Sequence, residues 1–172
     1  MILSDFDLRA YLTSRRLRVE PFSEEIIREN GLDLRIGEGF CRINTSSREL
    51  SVGVDSVEEY FTCGRAEEYL RLESSTHYLL HTIEYLRMPP ELMGFVELRS
   101  TFARLGFIMP PTIVDAGFEG QLTIEVLTPP YPVKIAVGTR FLHVVFAKVA
   151  TPATSTYRGK YQGQRGVVLP RW

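Results

Sequence analysis

Gln121-Leu122-Thr123-Ile124-Glu125-Val126 alternates polar and apolar side chains without a break. Successive side chains of a strand point to opposite faces, so this period sets Leu122, Ile124 and Val126 against Gln121, Thr123 and Glu125. One face is built for a core and the other carries a carboxylate. Outward from this strand the same period returns. Leu32, Leu34 and Ile36 alternate, as do Phe40 and Arg42 with Cys41 and Ile43, and strands are expected at 78–85, 93–98, 133–137 and 141–147. Pro89-Pro90, Pro110-Pro111, Pro129-Pro130 and Gly138 punctuate the runs. Many short strands between such turns predict a mainly β fold, a sandwich or barrel.

Short helices are expected at the amino terminus. Ser4 has the chemistry of an N-cap, Asp7 stands three residues on, and Leu8, Tyr11 and Leu12 share one face. A second short helix is expected over 23–29, stopped near Asn30-Gly31. Residues 151–172 mix glycine, cations and amides with little periodicity. They read either as a tail that orders over a ligand or as a frayed terminus.

At 172 residues the chain fits one domain, 1–172. A hydrophobic content of 44% with 24% charged residues is that of an ordinary globular protein. The net charge of −1 supplies no field that would recruit nucleic acid or an anionic membrane, so neither is expected as a partner. No apolar run reaches the length of a membrane span, and 1–9 lack the basic-then-apolar order of a signal peptide. Cys41 and Cys63 can in principle pair, but they read as two reduced thiols of a cytoplasmic protein. Few amides, many arginines and few lysines point to a heat-adapted source.

The chemistry gathers in two segments. Leu98-Arg99-Ser100-Thr101-Phe102-Ala103-Arg104-Leu105-Gly106 sets two guanidinium forks and two hydroxyls close together, a donor set suited to phosphate oxygens. Asp115, in a Val-Asp-Ala-Gly-Phe turn, precedes Glu125 by ten residues. Glu125 reads either as a solvated residue on the polar face of its strand or, if partly desolvated, as a general base. Zinc is not expected. His77 and His81 are four apart on a strand-like run without a third ligand, there is no Cys-x-x-Cys, and the three histidines read as packing or surface residues. A Gly-x-Ser-x-Gly elbow, a Walker loop and a dinucleotide fingerprint are absent. The segment 156–166 interleaves rings, cations and amides that suit a sugar, base or phosphate, or form a plain basic tail.

Taken together these segments resemble the dCTP deaminase family, within the superfamily that also holds the trimeric dUTPases. The likeness rests on Arg99-Ser100-Thr101-Phe102-Ala103-Arg104-Leu105-Gly106, Asp115-Ala116-Gly117-Phe118-x-Gly120, Thr123-Ile124-Glu125 and Lys160-Tyr161-Gln162-Gly163-Gln164. Met1-Ile2-Leu3-Ser4-Asp5 and Glu29-Asn30-Gly31-x-Asp33-Leu34-Arg35 extend it over the whole chain, closest to archaeal members.

The resemblance implies a distorted jelly-roll, or dUTPase-like β-barrel, assembled as a homotrimer with active sites between subunits. It implies Glu125 as the proton shuttle, with Ser100 and Arg104 orienting water and base. Arg99, Thr101, Lys160 and Gln164 would hold a triphosphate bridged by Mg²⁺, and Phe102, Ala103, Thr123 and Ile124 would complete the nucleotide site. Asp115 would take the 3′-hydroxyl, and Tyr157, with Tyr161 as the alternative, would pack near the sugar as 151–172 close over it. The implied reaction turns dCTP into dUTP and ammonia, with dTTP as feedback inhibitor. The connection from Arg104 to Asp115 is shorter than in bacterial members, which leaves open the group that holds the attacking water there. The alternatives are a dUTP pyrophosphatase or bifunctional enzyme using Asp115 on the α-phosphate, and a nucleotide sensor without turnover.

Overall fold

The computed structural model describes residues 1–172. Eleven strands and two short helices follow one another along the chain. Helix α1 (Asp5–Thr13) precedes β1 (Arg18–Glu20), β2 (Ile27–Arg28) and β3 (Gly31–Ile43). Strands β4 (Phe61–Arg65), β5 (Tyr69–Leu72), β6 (His77–Arg87) and β7 (Leu92–Leu98) lead to helix α2 (Ser100–Arg104). Strands β8 (Thr112–Val114), β9 (Glu119–Leu127), β10 (Val133–Ala136) and β11 (Arg140–Lys148) complete the set. Every strand pair is antiparallel.

Strand β3 explains how one sheet curls round a core. Its first half pairs with β2 and β11, and its second half pairs with β4 and β6. The change falls between Ile36 and Phe40, where the register shifts at Gly37-Glu38-Gly39. The His81 imidazole lies over this bulge and its Nε2 accepts from the Gly39 N–H at 3.0 Å. A Cβ on Gly37 would stand 2.1 Å from that ring, so only glycine admits it there. The chain bends where a side chain replaces the lost ladder bonds.

The expected alternation holds on β9, where Gly120, Leu122, Ile124 and Val126 are buried and the residues between them are not. Leu32, Leu34, Leu80, Val126, Val144 and Phe146 are fully enclosed in the core. The core also encloses Glu84, which accepts from Arg35 through Nε at 2.6 Å and through the backbone N–H at 2.8 Å. Charge-assisted bonds of this kind offset the cost of taking a carboxylate out of water.

Helix α1 forms where expected, with Ser4 and Asp7 making the reciprocal capping box. The second helix does not. Only a 3₁₀ turn forms, at Glu24–Ile26, and Ile27 and Arg28 pair with Leu32 and Gly31 instead. Glu29 and Asn30 thus link a hairpin rather than cap a helix. The expectation of two reduced thiols is also corrected. Cys41 and Cys63 form a disulfide, because strand register sets them directly opposite each other on β3 and β4. Sequence separation gave no sign of that adjacency. No helix is long and apolar enough to cross a membrane.

Candidate functional site

Two clefts hold most of the residues singled out in the sequence. The first, of about 210 Å³, is lined by Asp115, Thr123, Ile124, Tyr157 and Gln164, together with Phe118, Leu122, Val114 and Tyr161. Asp115 occupies the turn between β8 and β9, closed by a bond from the Phe118 N–H to the Asp115 carbonyl. Gly117 takes a φ of +82° there, a conformation that glycine adopts without penalty. A Cβ at Gly117 would come within 2.3 Å of Thr156, so the same glycine lets the carboxy-terminal segment approach.

That segment is fastened along β9 by hydrogen bonds, largely through amide side chains. Gln121 donates its backbone N–H to the Gln164 carbonyl at 3.0 Å, and Gln164 Nε2 returns a bond to the Gln121 carbonyl at 2.7 Å. Gln162 Nε2 donates to the Gly117 carbonyl, and the Gly166 N–H donates to Gln121 Oε1. Tyr157 donates its N–H to the Ala116 carbonyl and packs edge-on against Phe118, ring centres 5.7 Å apart. Tyr157 therefore reaches the Asp115 turn. Tyr161 lines the cleft as well. Lys160 points elsewhere, its Nζ donating to the Arg171 carbonyl.

The second cleft, about 280 Å³, is lined by Arg99 and Ser100 with Asp33, Arg28, Glu97 and His143. Asp33 is almost wholly buried. Its Oδ2 lies 2.9 Å from Arg99 Nε as an ion pair with no hydrogen bond aligned on that oxygen, and its Oδ1 lies 3.0 Å from His143 Nδ1. Arg99 NH1 donates to the Arg140 carbonyl. Two of the Arg99 nitrogens are thus engaged within the fold, which fixes the guanidinium and leaves NH2 without a partner in the chain.

Helix α2 follows directly, with extended Arg99 as its N-cap. Phe102 is buried on Phe107 and Phe141, at centroid distances of 5.7 and 4.5 Å. That anchor holds the five-residue helix, too short to persist on its own. Ser100, Thr101, Ala103 and Arg104 are all left exposed on the rest of its surface. Phe102 accordingly serves packing, and the exposed residues are those free to meet a ligand.

Glu125 lies on the polar face of β9, side chain 43% exposed, one residue beyond Ile124 of the first cleft. Its Oε1 is 3.0 Å from Nδ1 of His77 at the start of β6. The sequence offered no sign of this pair, because the β6–β9 register is a tertiary fact. The other histidines are structural, His81 at the β3 bulge and His143 on Asp33. The largest cleft, about 570 Å³ beside α1, holds none of the predicted residues, and its Arg9 is paired with Glu24.

Comparison with known proteins gives this arrangement a family. Residues 2–149 match the family model described as dCTP deaminase-like. The dCTP deaminase of Aeropyrum pernix is 54% identical over 172 residues, covering 99% of this chain and 96% of that protein. The solved 2′-deoxycytidine 5′-triphosphate deaminase of Agrobacterium tumefaciens superposes with a TM-score of 0.68 at 21% identity. The match covers 84% of this chain and 46% of that longer one. A mutant dUTPase from phage phi11 of S. aureus, described with a structural Mg(II) ion, superposes with a TM-score of 0.50 at 15% identity, covering 84% and 98%. The two structural likenesses speak for the shared fold, and the sequence match speaks for the family. The chain belongs to the dCTP deaminase family.

Proposed function

We propose that this enzyme hydrolyses dCTP to dUTP and ammonia, with Glu125 as the group that moves the protons. The observation that carries the reading is Glu125 itself. It is a half-exposed carboxylate on the polar face of β9, next to the cleft of Asp115, Thr123 and Tyr157, in a chain closely similar to a dCTP deaminase. Glu125 takes a proton from water as the water oxygen bonds to C4 of cytosine. It then delivers that proton to N3, takes the proton of the C4 hydroxyl as the carbonyl of uracil forms, and passes it to the exocyclic nitrogen, so that the C–N bond breaks and ammonia leaves. One carboxyl group acting first as base and then as acid is enough for this sequence.

The remaining roles are those the family likeness implies. Asp115, exposed on its turn, takes the 3′-hydroxyl, and Tyr157 on Phe118 offers a ring beside the sugar. Ser100 and Arg104 orient water and base, while Arg99, Thr101 and Gln164 meet the triphosphate, joined by Lys160 once its Nζ leaves the Arg171 carbonyl, with 151–172 closing the site. The chain gathers no cluster of three His, Cys, Asp or Glu side chains. Magnesium would arrive with the triphosphate, whose charge it offsets.

Arg99 and Ser100 line one cleft, and Asp115, Thr123 and Tyr157 line another. This division supports a homotrimer in which α2 of one copy meets β9 of a second. Phe95 and Ile113, register partners on β7 and β8, and Ile108 after α2 are exposed apolar side chains that such contacts would cover. We place the enzyme in the cytoplasm with free nucleotides as its ligands, dTTP among them as inhibitor.

Replacing Glu125 with Gln tests the proposal. The expected outcome is loss of ammonia release by at least about a hundredfold, with dCTP still bound. Full activity in Glu125→Gln contradicts it. The exposed carboxylate of Asp115 in the first cleft favours one second reading, attack of water on the α-phosphate of dUTP. Pyrophosphate release that disappears in Asp115→Asn would be its sign.

A further inference from the structure

We propose that His77 is a positioning residue for the deamination, holding the Glu125 carboxylate in the orientation from which it acts. The inference rests on the reading of Glu125 as proton shuttle. His77 begins β6 and stands opposite Leu127 of β9, while Leu79 stands opposite Glu125. The two side chains therefore meet on the diagonal of an antiparallel pair and share one face of the sheet. Nδ1 of His77 lies 3.0 Å from Oε1 of Glu125. An ionised carboxylate only accepts, so the bond requires the proton on Nδ1. Glu125 Oε2 has no hydrogen-bond partner within the chain. One oxygen is thus tethered and the other is free to take and return a proton.

Stability does not explain the pair. The side chains are 50% and 43% exposed, and an exposed ion pair contributes roughly 0–1 kcal/mol. Position does. A glutamate on an exposed strand face has three rotatable bonds, and shuttling protons between a water and an amino group requires one orientation. Leu79 on the same face, opposite Glu125, offers an apolar flank and no competing donor. The imidazole is the side chain that fixes the acid.

The experiment compares His77→Leu, His77→Asn and Glu125→Gln with the unaltered enzyme, following kcat and KM for ammonia release from dCTP and the melting temperature. His77→Leu is expected to lower kcat about tenfold to a hundredfold, with KM and melting temperature nearly unchanged. His77→Asn, whose amide nitrogen falls close to the position of Nδ1, is expected to restore most of the lost rate. An unchanged kcat in His77→Leu, or a loss confined to KM, overturns the inference while an inactive Glu125→Gln leaves the Glu125 reading standing. An active Glu125→Gln overturns both.

Discussion

Asp33 shows how a buried charge sets the geometry of a neighbouring site. It makes an ion pair with Arg99, bonds His143, and lies 3.8 Å from Arg28, all while nearly excluded from water. Asp33 is the buried member and its partners are partly exposed, so removing a partner leaves a buried carboxylate without its counter-charge, which costs more than the group contributes when whole. Arg99→Ala is therefore expected to lower the unfolding free energy by about 2–3 kcal/mol, read from the denaturant midpoint. The motif Arg99–Arg104 was visible in the sequence, but the division of labour within it was not. Phe102 looks like its neighbours on paper, and only its contacts with Phe107 and Phe141 mark it as an anchor. Asp33, Glu84 and His77 escaped notice as partners for one reason. Their partners Arg99, Arg35 and Glu125 lie 66, 49 and 48 residues away along the chain.

Among the elements, β9 was the most legible, because a half-buried antiparallel strand writes its two faces into alternate residues. Helix α1 was legible from its cap. The 3₁₀ turn at Glu24–Ile26 and the hairpin after it were not, since an Asn-Gly pair serves a helix end and a turn equally well. The carboxy-terminal segment carried no periodicity because it forms neither helix nor strand. It is fastened by Gln121, Gln162 and Gln164, three of the five amide side chains in the chain, and those bonds follow no repeat. Its docking depends on Gly117, where a methyl group would meet Thr156 and force a left-handed conformation on an L residue. Gly117→Ala is expected to cost about 1–2 kcal/mol locally and to free the segment. Limited trypsin digestion at Arg158, Lys160 and Arg165 should then run faster than in the unaltered protein, and equal rates would show that the turn does not hold the segment.

The whole molecule is a curled, mainly β sheet whose long strand β3 bridges two sets of partners, and whose chemistry-bearing residues fall into two clefts. The proposed trimer would complete a site divided in this way, so the purified protein is expected to behave as three chains in light scattering. A monomer that remains fully active would remove the reason for the trimer. The central claim concerns the reaction and is tested most directly by offering dCTP and dUTP separately, with Mg²⁺, and measuring ammonia, pyrophosphate and nucleotide products. The account predicts ammonia and dUTP from dCTP, with dUTP left intact. No ammonia from dCTP, with pyrophosphate and dUMP formed from dUTP, would contradict it and move the chemistry from Glu125 to Asp115.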